Sequence, residues 1–310
     1  MTDESRNRGA DAPLWTLNNV CLGPSRLRDV SVVIPRGVTA VLGWSGAGKT
    51  SLLNVLVGFE KPDRGIFDGP RSFYWSPQND GLWPHCTARE HLALVRCAEA
   101  RIDELLAGFD LTERAGARPD ELSEGERARL SVARALAAPA KVLVLDEPLA
   151  HVDPARVGRY WSVIRAALAA EDRSLVFATH VPEAALAEAQ NVVCLRDGGV
   201  LHAGPIAEAY ANPPSRDVME CLGPGNWMTP EEADLWLDEK IDFARCFRPE
   251  QIEIEPTNLS HMVVRSANFL GSFAEAELRH VNAAVVRTFL HRPAAADLQP
   301  EMPAVVRLRA

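Results

Sequence analysis

The sequence predicts a mixed α/β fold: an antiparallel layer, a sheet with buried parallel strands, a helical insert, and a small all-β barrel after it. Three observations carry this expectation. Gly43-Trp44-Ser45-Gly46-Ala47-Gly48-Lys49-Thr50 follows the run Thr39-Ala40-Val41-Leu42 and precedes the helix-like Ser51-Leu52-Leu53-Asn54-Val55-Leu56-Val57. A strand, a glycine-rich loop with G-x-x-x-x-G-K-[ST] spacing and a helix start make a phosphate cradle. Second, Val142-Leu143-Val144-Leu145 and Leu175-Val176-Phe177-Ala178 are continuous apolar runs, as in strands covered on both faces. Third, Gln251–Glu255, Glu275–Arg279 and Val305–Arg309 alternate apolar with polar, as in strands with one wet face.

The cradle has a direct physical basis. Glycines let backbone N–H groups converge on phosphate oxygens without Cβ obstruction, the helix start adds partial positive charge, and Lys49 adds a full one. Composition narrows the classes further. With 310 residues, 47% hydrophobic, the chain can bury one large core and has room for a second, smaller domain. A net charge of −9 argues against a nucleic-acid partner. No run of about 20 apolar residues is present, so no membrane span is expected. Met1 to Asp11 is polar and unlike a secretory signal, which predicts a loose tail and a cytoplasmic location. Six cysteines, Cys21, Cys86, Cys97, Cys194, Cys221 and Cys246, form no C-x-x-C pair, so core thiols are expected rather than a zinc site or disulfides.

In chain order, Trp15–Leu22 and Asp29–Ile34 read as strands separated by the turn Gly23-Pro24-Ser25. Gly58 is a candidate C-cap and Lys61–Gly65 a turn; Ser72–Trp75 is a short strand leading into Gln78. Thr87-Ala88-Arg89-Glu90 and Ser123-Glu124-Gly125-Glu126 are capping boxes opening helices on either side of a helical stretch from Ile102 to Phe109. Asp146 and Glu147 close a buried strand, where carboxylates point into a site. Asp153-Pro154 opens an amphipathic helix, the next buried strand delivers Thr179-His180, and Asn191–Leu195 is followed by the turn Asp197-Gly198-Gly199. The expected boundaries are a tail over 1–13, a nucleotide domain over 14–222 with its insert at about 86–137, a linker over 223–242 and a barrel over 243–310.

Read in order, the cradle, Gln78, Leu122-Ser123-Glu124-Gly125-Glu126, Leu145-Asp146-Glu147-Pro148, Asp153 and His180 resemble the ATP-binding subunits of ABC transporters. Gly204-Pro205, Pro213, Leu222-Gly223, Asn226 and Phe247–Ile252 look like the C-terminal extension of the prokaryotic solute-importer group, an OB-like barrel of the TOBE type. The resemblance implies an ATPase powering import of an oxyanion, metal, polyamine or sugar, with ATP and Mg²⁺ as cofactors. It implies that Gly43, Ser45, Gly46, Gly48, Lys49 and Ser51 cradle the phosphates, and that Thr50, Asp146 and Gln78 attend the metal. Glu147 would be the base activating water, with His180 and Gln78 beside the γ-phosphate; Ser123, Gly125 and Asp153 would serve the site of a second copy in a head-to-tail homodimer. Expected partners are separately encoded transmembrane permease subunits and, indirectly, a solute-binding protein, with no nucleic acid, at the inner face of the cell membrane. An exporter-type ATPase and a non-transport regulatory or mechanical ATPase are the alternatives.

Two positions depart from the family pattern. Glu124 stands where a glycine is usual, with Arg127 and Arg129 close enough in sequence to offset its charge, while Glu126 reads as the capping partner of Ser123. Cys21 and Leu22 occupy the place of the aromatic residue that stacks on adenine, and Trp15 is the nearest alternative. Leu82 and Trp83, on the loop after Gln78, suit the anchoring of a partner helix. His85, His91, His151 and His202 lack ligand spacing and read as surface or packing residues.

Overall fold

The computed structural model describes residues 12–258, 260–293 and 298–309, so all but the last two residues of the expected tail lie outside the described residues. The chain divides into two compact units, Met1–Ile206 and Ala207–Ala310. The first unit contains β1 (Trp15–Leu22), β2 (Leu27–Ile34), β3 (Val38–Leu42), α1 (Lys49–Leu56), β4 (Arg64–Asp68) and β5 (Tyr74–Ser76). The insert supplies α2 (Ala88–Leu94), α3 (Glu99–Gly108) and α4 (Glu124–Ala137). There follow β6 (Val142–Asp146), α5 (Pro154–Glu171), β7 (Ser174–Thr179), α6 (Pro182–Glu188), β8 (Asn191–Arg196) and β9 (Gly199–Pro205).

Six strands form one sheet in the order β5-β6-β7-β3-β8-β9, parallel except for the last pair. All five residues of β6 and all six of β7 are buried, as their uninterrupted apolar runs require in a sheet covered on both faces. A second, antiparallel sheet, β2-β1-β4, contributes Leu17, Val20, Val30, Val32 and Ile34 to the core it shares with α1 and the larger sheet. The reading of Lys61–Gly65 as a turn needs correction at its end. Arg64 already pairs with Cys21 in β4, a strand whose exposed residues hide its alternation. The topology carries the ends of β3, β6 and β7 to one edge, where the cradle, Asp146-Glu147 and His180 meet.

The second unit follows the start of α7 (Ile206–Ala211) and holds α8 (Arg216–Leu222), β10 (Asn226–Met228), α9 (Pro230–Leu237) and β11 (Arg245–Phe247). Its remaining strands are β12 (Ile252–Pro256), β13 (Met262–Phe269), β14 (Ala274–His280), β15 (Val285–His291) and β16 (Ala304–Leu308). They pair as β10-β11, β12-β16 and β13-β14-β15, all antiparallel. Val264 N–H donates to Met302 O at 2.9 Å and Arg292 N–H to Ile252 O at 3.0 Å, tying the two larger sheets along both sides. The stretch expected as a linker is folded. Trp236 and Leu237 of α9 enter the core with Phe247, Leu278 and Phe289, and Asn226 Nδ2 donates to Leu290 O at 2.7 Å. Arg248 is buried against the Tyr210 ring, 4.0 Å from its centroid, and donates to the carbonyls of Tyr210, Gly223 and Pro224. It thereby supplies the donors that irregular backbone in this region lacks. Among the described residues no helix is long and apolar enough to cross a membrane.

Candidate functional site

The cradle loop bends through left-handed residues that only glycine adopts without strain. Gly46 has φ 80° and Gly48 φ 103°, and a Cβ on Gly48 would lie 2.7 Å from Arg26 O. Lys49, buried at the start of α1, donates from Nζ to Gly43 O at 2.9 Å and Trp44 O at 3.2 Å, and stands 3.7 Å from Glu147 Oε1. Thr50 Oγ1 donates to Asp146 Oδ2 at 2.7 Å. Asp146 is buried, and burial pushes its carboxyl above the usual carboxylate range, Glu147 adding to the shift while Thr50 and Lys49 oppose it. Its other oxygen, Oδ1, is buried without a hydrogen-bond partner. A buried, under-coordinated carboxylate oxygen beside a threonine hydroxyl is a hard, anionic donor set, and it fits Mg²⁺.

Glu147 follows β6 with φ 51°, a left-handed conformation that a non-glycine residue adopts at a cost of about 1 kcal/mol or more. Its N–H donates to Ala178 O at 3.1 Å, continuing the β6–β7 pairing by one residue. The side chain Oε1 lies 2.9 Å from His180 Nδ1. The imidazole comes from the loop after β7 and is largely exposed, whereas the Glu147 side chain is only 10% exposed. Ser45, Gly46, Gly48, Lys49, Thr50, Ser51, Gln78, Glu147 and His180 line one cleft, with Arg26 and Trp44. The residues expected around a nucleotide are therefore gathered from four separate stretches of sequence.

Ser123, Gly125 and Asp153 form a second cluster. Ser123 Oγ accepts from Glu126 N–H at 3.2 Å, and Glu126 Oε2 accepts from Ser123 N–H at 2.8 Å, the reciprocal cap that the sequence predicts. Asp153 caps α5 by accepting from Ala155 N–H at 3.0 Å. A Cβ on Gly125 would lie 2.8 Å from His151 O, so the start of α4 and the loop before α5 touch backbone to backbone. Glu124 corrects one expectation. Arg127 reaches Leu122 O and Asp80, while Arg129 is buried on Phe109 O and Asp110 O; neither pairs with Glu124. Its neighbour is His151, with Nδ1 at 3.5 Å from Glu124 Oε2, both side chains 66% exposed. His151 had no ligand spacing to reveal this role. Only the fold brings the two residues together.

The base platform is a second correction. Trp15 is 1% exposed and donates from Nε1 to Leu56 O at 2.9 Å, so it is a core residue; Cys21 and Leu22 are buried as well. On the loop after Gln78, Trp83 lies against the buried His91 with ring centroids 5.4 Å apart and under the Arg134 guanidinium at 4.9 Å. It remains 43% exposed. Arg134 donates to Asp80 O and Gly81 O, both at 2.9 Å, and Ser131 Oγ to Asp80 O at 3.0 Å, so α4 holds this loop in place.

Comparisons with known proteins identify the family. The ABC transporter family profile matches residues 27–150. The sulfate/thiosulfate import ATP-binding protein CysA of Synechococcus elongatus is 31% identical over 312 residues, covering 91% of this chain and 90% of that protein. The Fe(3+) ions import ATP-binding protein FbpC 1 of Rhodococcus jostii is 34% identical, covering 81% and 82%. The spermidine/putrescine import ATP-binding protein PotA of Protochlamydia amoebophila is 32% identical, covering 69% and 61%. Among solved structures, an ATP-binding subunit of an ABC transporter superposes with a TM-score of 0.57 at 23% identity, over 64% of this chain and 92% of that one. The dimeric post-hydrolysis structure of the ATP-binding cassette MJ0796 with ADP and Pi gives 0.53 at 25%, over 62% and 98%. The chain belongs to the ATP-binding subunits of ABC transporters. It is of the importer type, an ATPase that couples ATP hydrolysis to import.

Proposed function

We propose that this subunit works as a homodimer beneath separately encoded transmembrane permease subunits, on the inner face of the cell membrane, importing a small solute of the oxyanion, metal, polyamine or sugar class. The observation that carries the reading is the convergence of Lys49, Thr50, Asp146, Glu147, Gln78 and His180 on one cleft edge. Lys49 and the loop amides bind the β- and γ-phosphates as charge and dipole. Thr50 and Asp146, with Gln78, would hold Mg²⁺, which when bound neutralises phosphate charge. Glu147 accepts a proton from the attacking water, and His180, hydrogen-bonded to it, fixes the orientation of that carboxylate. Ser123 and Gly125 at the start of α4, and Asp153, face the nucleotide of the second copy, where the helix N-terminus favours an anion. The solute itself is selected by the permease and, upstream of it, a solute-binding protein.

The partner helix of the permease docks on the loop after Gln78, where Trp83 offers its exposed surface from a mount fixed by His91 and Arg134. Trp83→Ala is expected to cut the amount of a membrane protein that co-purifies with this subunit from detergent-extracted membranes by at least about tenfold. The ATP affinity of the isolated subunit changes less than about twofold. Retention of the partner at the wild-type level would remove Trp83 from the interface, and a wild-type protein that brings down no transmembrane protein would defeat the import complex itself.

Glu124 also makes a measurable difference in the proposed dimer. Its pair with His151 is solvated and worth less than about 1 kcal/mol, so the carboxylate still repels a facing triphosphate. Glu124→Gly is expected to raise turnover up to about fivefold at low ionic strength, the gain vanishing as salt screens the repulsion. A loss of activity instead would show that the carboxylate and His151 together hold the loop before α5.

A further inference from the structure

Arg26 sits in the turn between β1 and β2, far in sequence from the cradle, yet it lines the same cleft as Gly46, Gly48, Lys49 and Ser51. Its backbone is close enough to Gly48 that any side chain there would strike Arg26 O. The guanidinium is held by its edges. Nη1 and Nη2 form a fork on the two oxygens of Glu60, Nη2 to Oε1 at 2.6 Å, and Nε donates to Ser51 Oγ at 3.1 Å. Asn54 Nδ2 fixes the same carboxylate at 2.8 Å. The hydrogen bond from Arg26 holds the Glu60 carboxyl below its ordinary range, so the pair stays charged. Arg26 remains 45% exposed. A planar cation held in place through three of its five N–H groups still has its faces to offer, and a guanidinium face binds a flat π-system.

We propose that Arg26 carries the base of the bound nucleoside triphosphate, its guanidinium face stacking on the purine beside Ser51. The proposal rests on the ATPase reading of the cleft and adds the residue that receives the base. Trp15, Cys21 and Leu22 are buried and cannot serve. Trp44 is exposed on the cradle, but Arg196 already lies over its ring at 5.2 Å. Stacking on a cationic plane rewards any purine, because every base has a π-face. The subunit therefore accepts GTP with an affinity within about tenfold of ATP.

The test is calorimetric titration of the full-length protein with ATP, GTP and inorganic tripolyphosphate, each with Mg²⁺. Arg26→Ala is expected to weaken ATP and GTP by about tenfold while tripolyphosphate, which has no base, changes less than about twofold. Arg26→Tyr, which restores a flat surface without the charge, is expected to recover most of the ATP affinity. Equal weakening of tripolyphosphate and ATP would make Arg26 a phosphate ligand and overturn the proposal. So would unchanged ATP binding in Arg26→Ala, or a base-dependent loss in Trp44→Ala that Arg26→Ala does not show. A wild-type protein that binds none of the three ligands would instead defeat the ATPase reading itself.

Discussion

Glu147→Gln is expected to lower steady-state hydrolysis by about a thousandfold or more while ATP binding survives. Glutamine keeps the length of the side chain and can still bond His180, but it cannot take a proton from water. The backbone at this position is already held in a left-handed conformation by the Glu147 N–H to Ala178 O bond, a contact the substitution leaves untouched. Only the proton acceptor is removed. The mutant should accumulate ATP in a stable dimer, visible as a second species in size-exclusion chromatography with ATP and Mg²⁺ and absent with ADP. Turnover within about tenfold of wild type would assign the base to another group.

Lys49→Ala acts on binding instead. Its ammonium satisfies the Gly43 and Trp44 carbonyls and lies between the loop and Glu147. Removing it deletes the full positive charge of the cradle, and ATP affinity is expected to fall by about a hundredfold or more. The nucleotide-free protein is expected to lose about 1–3 kcal/mol as well, because the Glu147 side chain, 10% exposed, loses the ammonium beside it and two carbonyls lose a donor. Lys49→Arg separates the two effects: it retains charge but its broad fork does not fit a loop built around a single ammonium. Equilibrium nucleotide titration and thermal melts with and without ATP check both. Wild-type ATP affinity in Lys49→Ala would end the assignment of the loop as the phosphate cradle.

Much of the first unit was legible because its signals are local. The cradle, two capping boxes and two all-apolar strands are each written within about ten consecutive residues, and the structure forms each one nearly at its expected bounds. β4 was not legible: most of its residues are exposed, so no alternation marks it. In the second unit, β13 has mostly exposed residues and escaped for the same reason, β15 buries only Phe289 and His291, and α9 hid within an acidic stretch of which Ala233, Trp236 and Leu237 are buried. The site divides along the same line. Lys49, Thr50, Asp146 and Glu147 stand in motifs and the structure brings them together. Arg26 and His151 belong to no motif; their place depends on Glu60 and Ser51 in one case and on the approach of Gly125 in the other. A residue whose partners are fixed only by chain folding leaves no trace in spacing.

The position of β3 in the large sheet bears on how the protein is made. Val38 pairs with Leu175 and Thr39 with Asn191, so the strand that launches the cradle is flanked on both sides by strands translated long after it. On the ribosome the glycine-rich loop emerges well before β7 and β8, and the strand that launches it lacks both of its sheet neighbours until they have followed. Closing such distant pairings is slow, and the unpaired β3 meanwhile presents a bare, apolar edge. The nascent chain consequently passes most of the synthesis of its first unit unable to grip a nucleotide. ATP, abundant around the ribosome, can then act as a late ligand that draws the finished unit into its native state, and not as an early template for it.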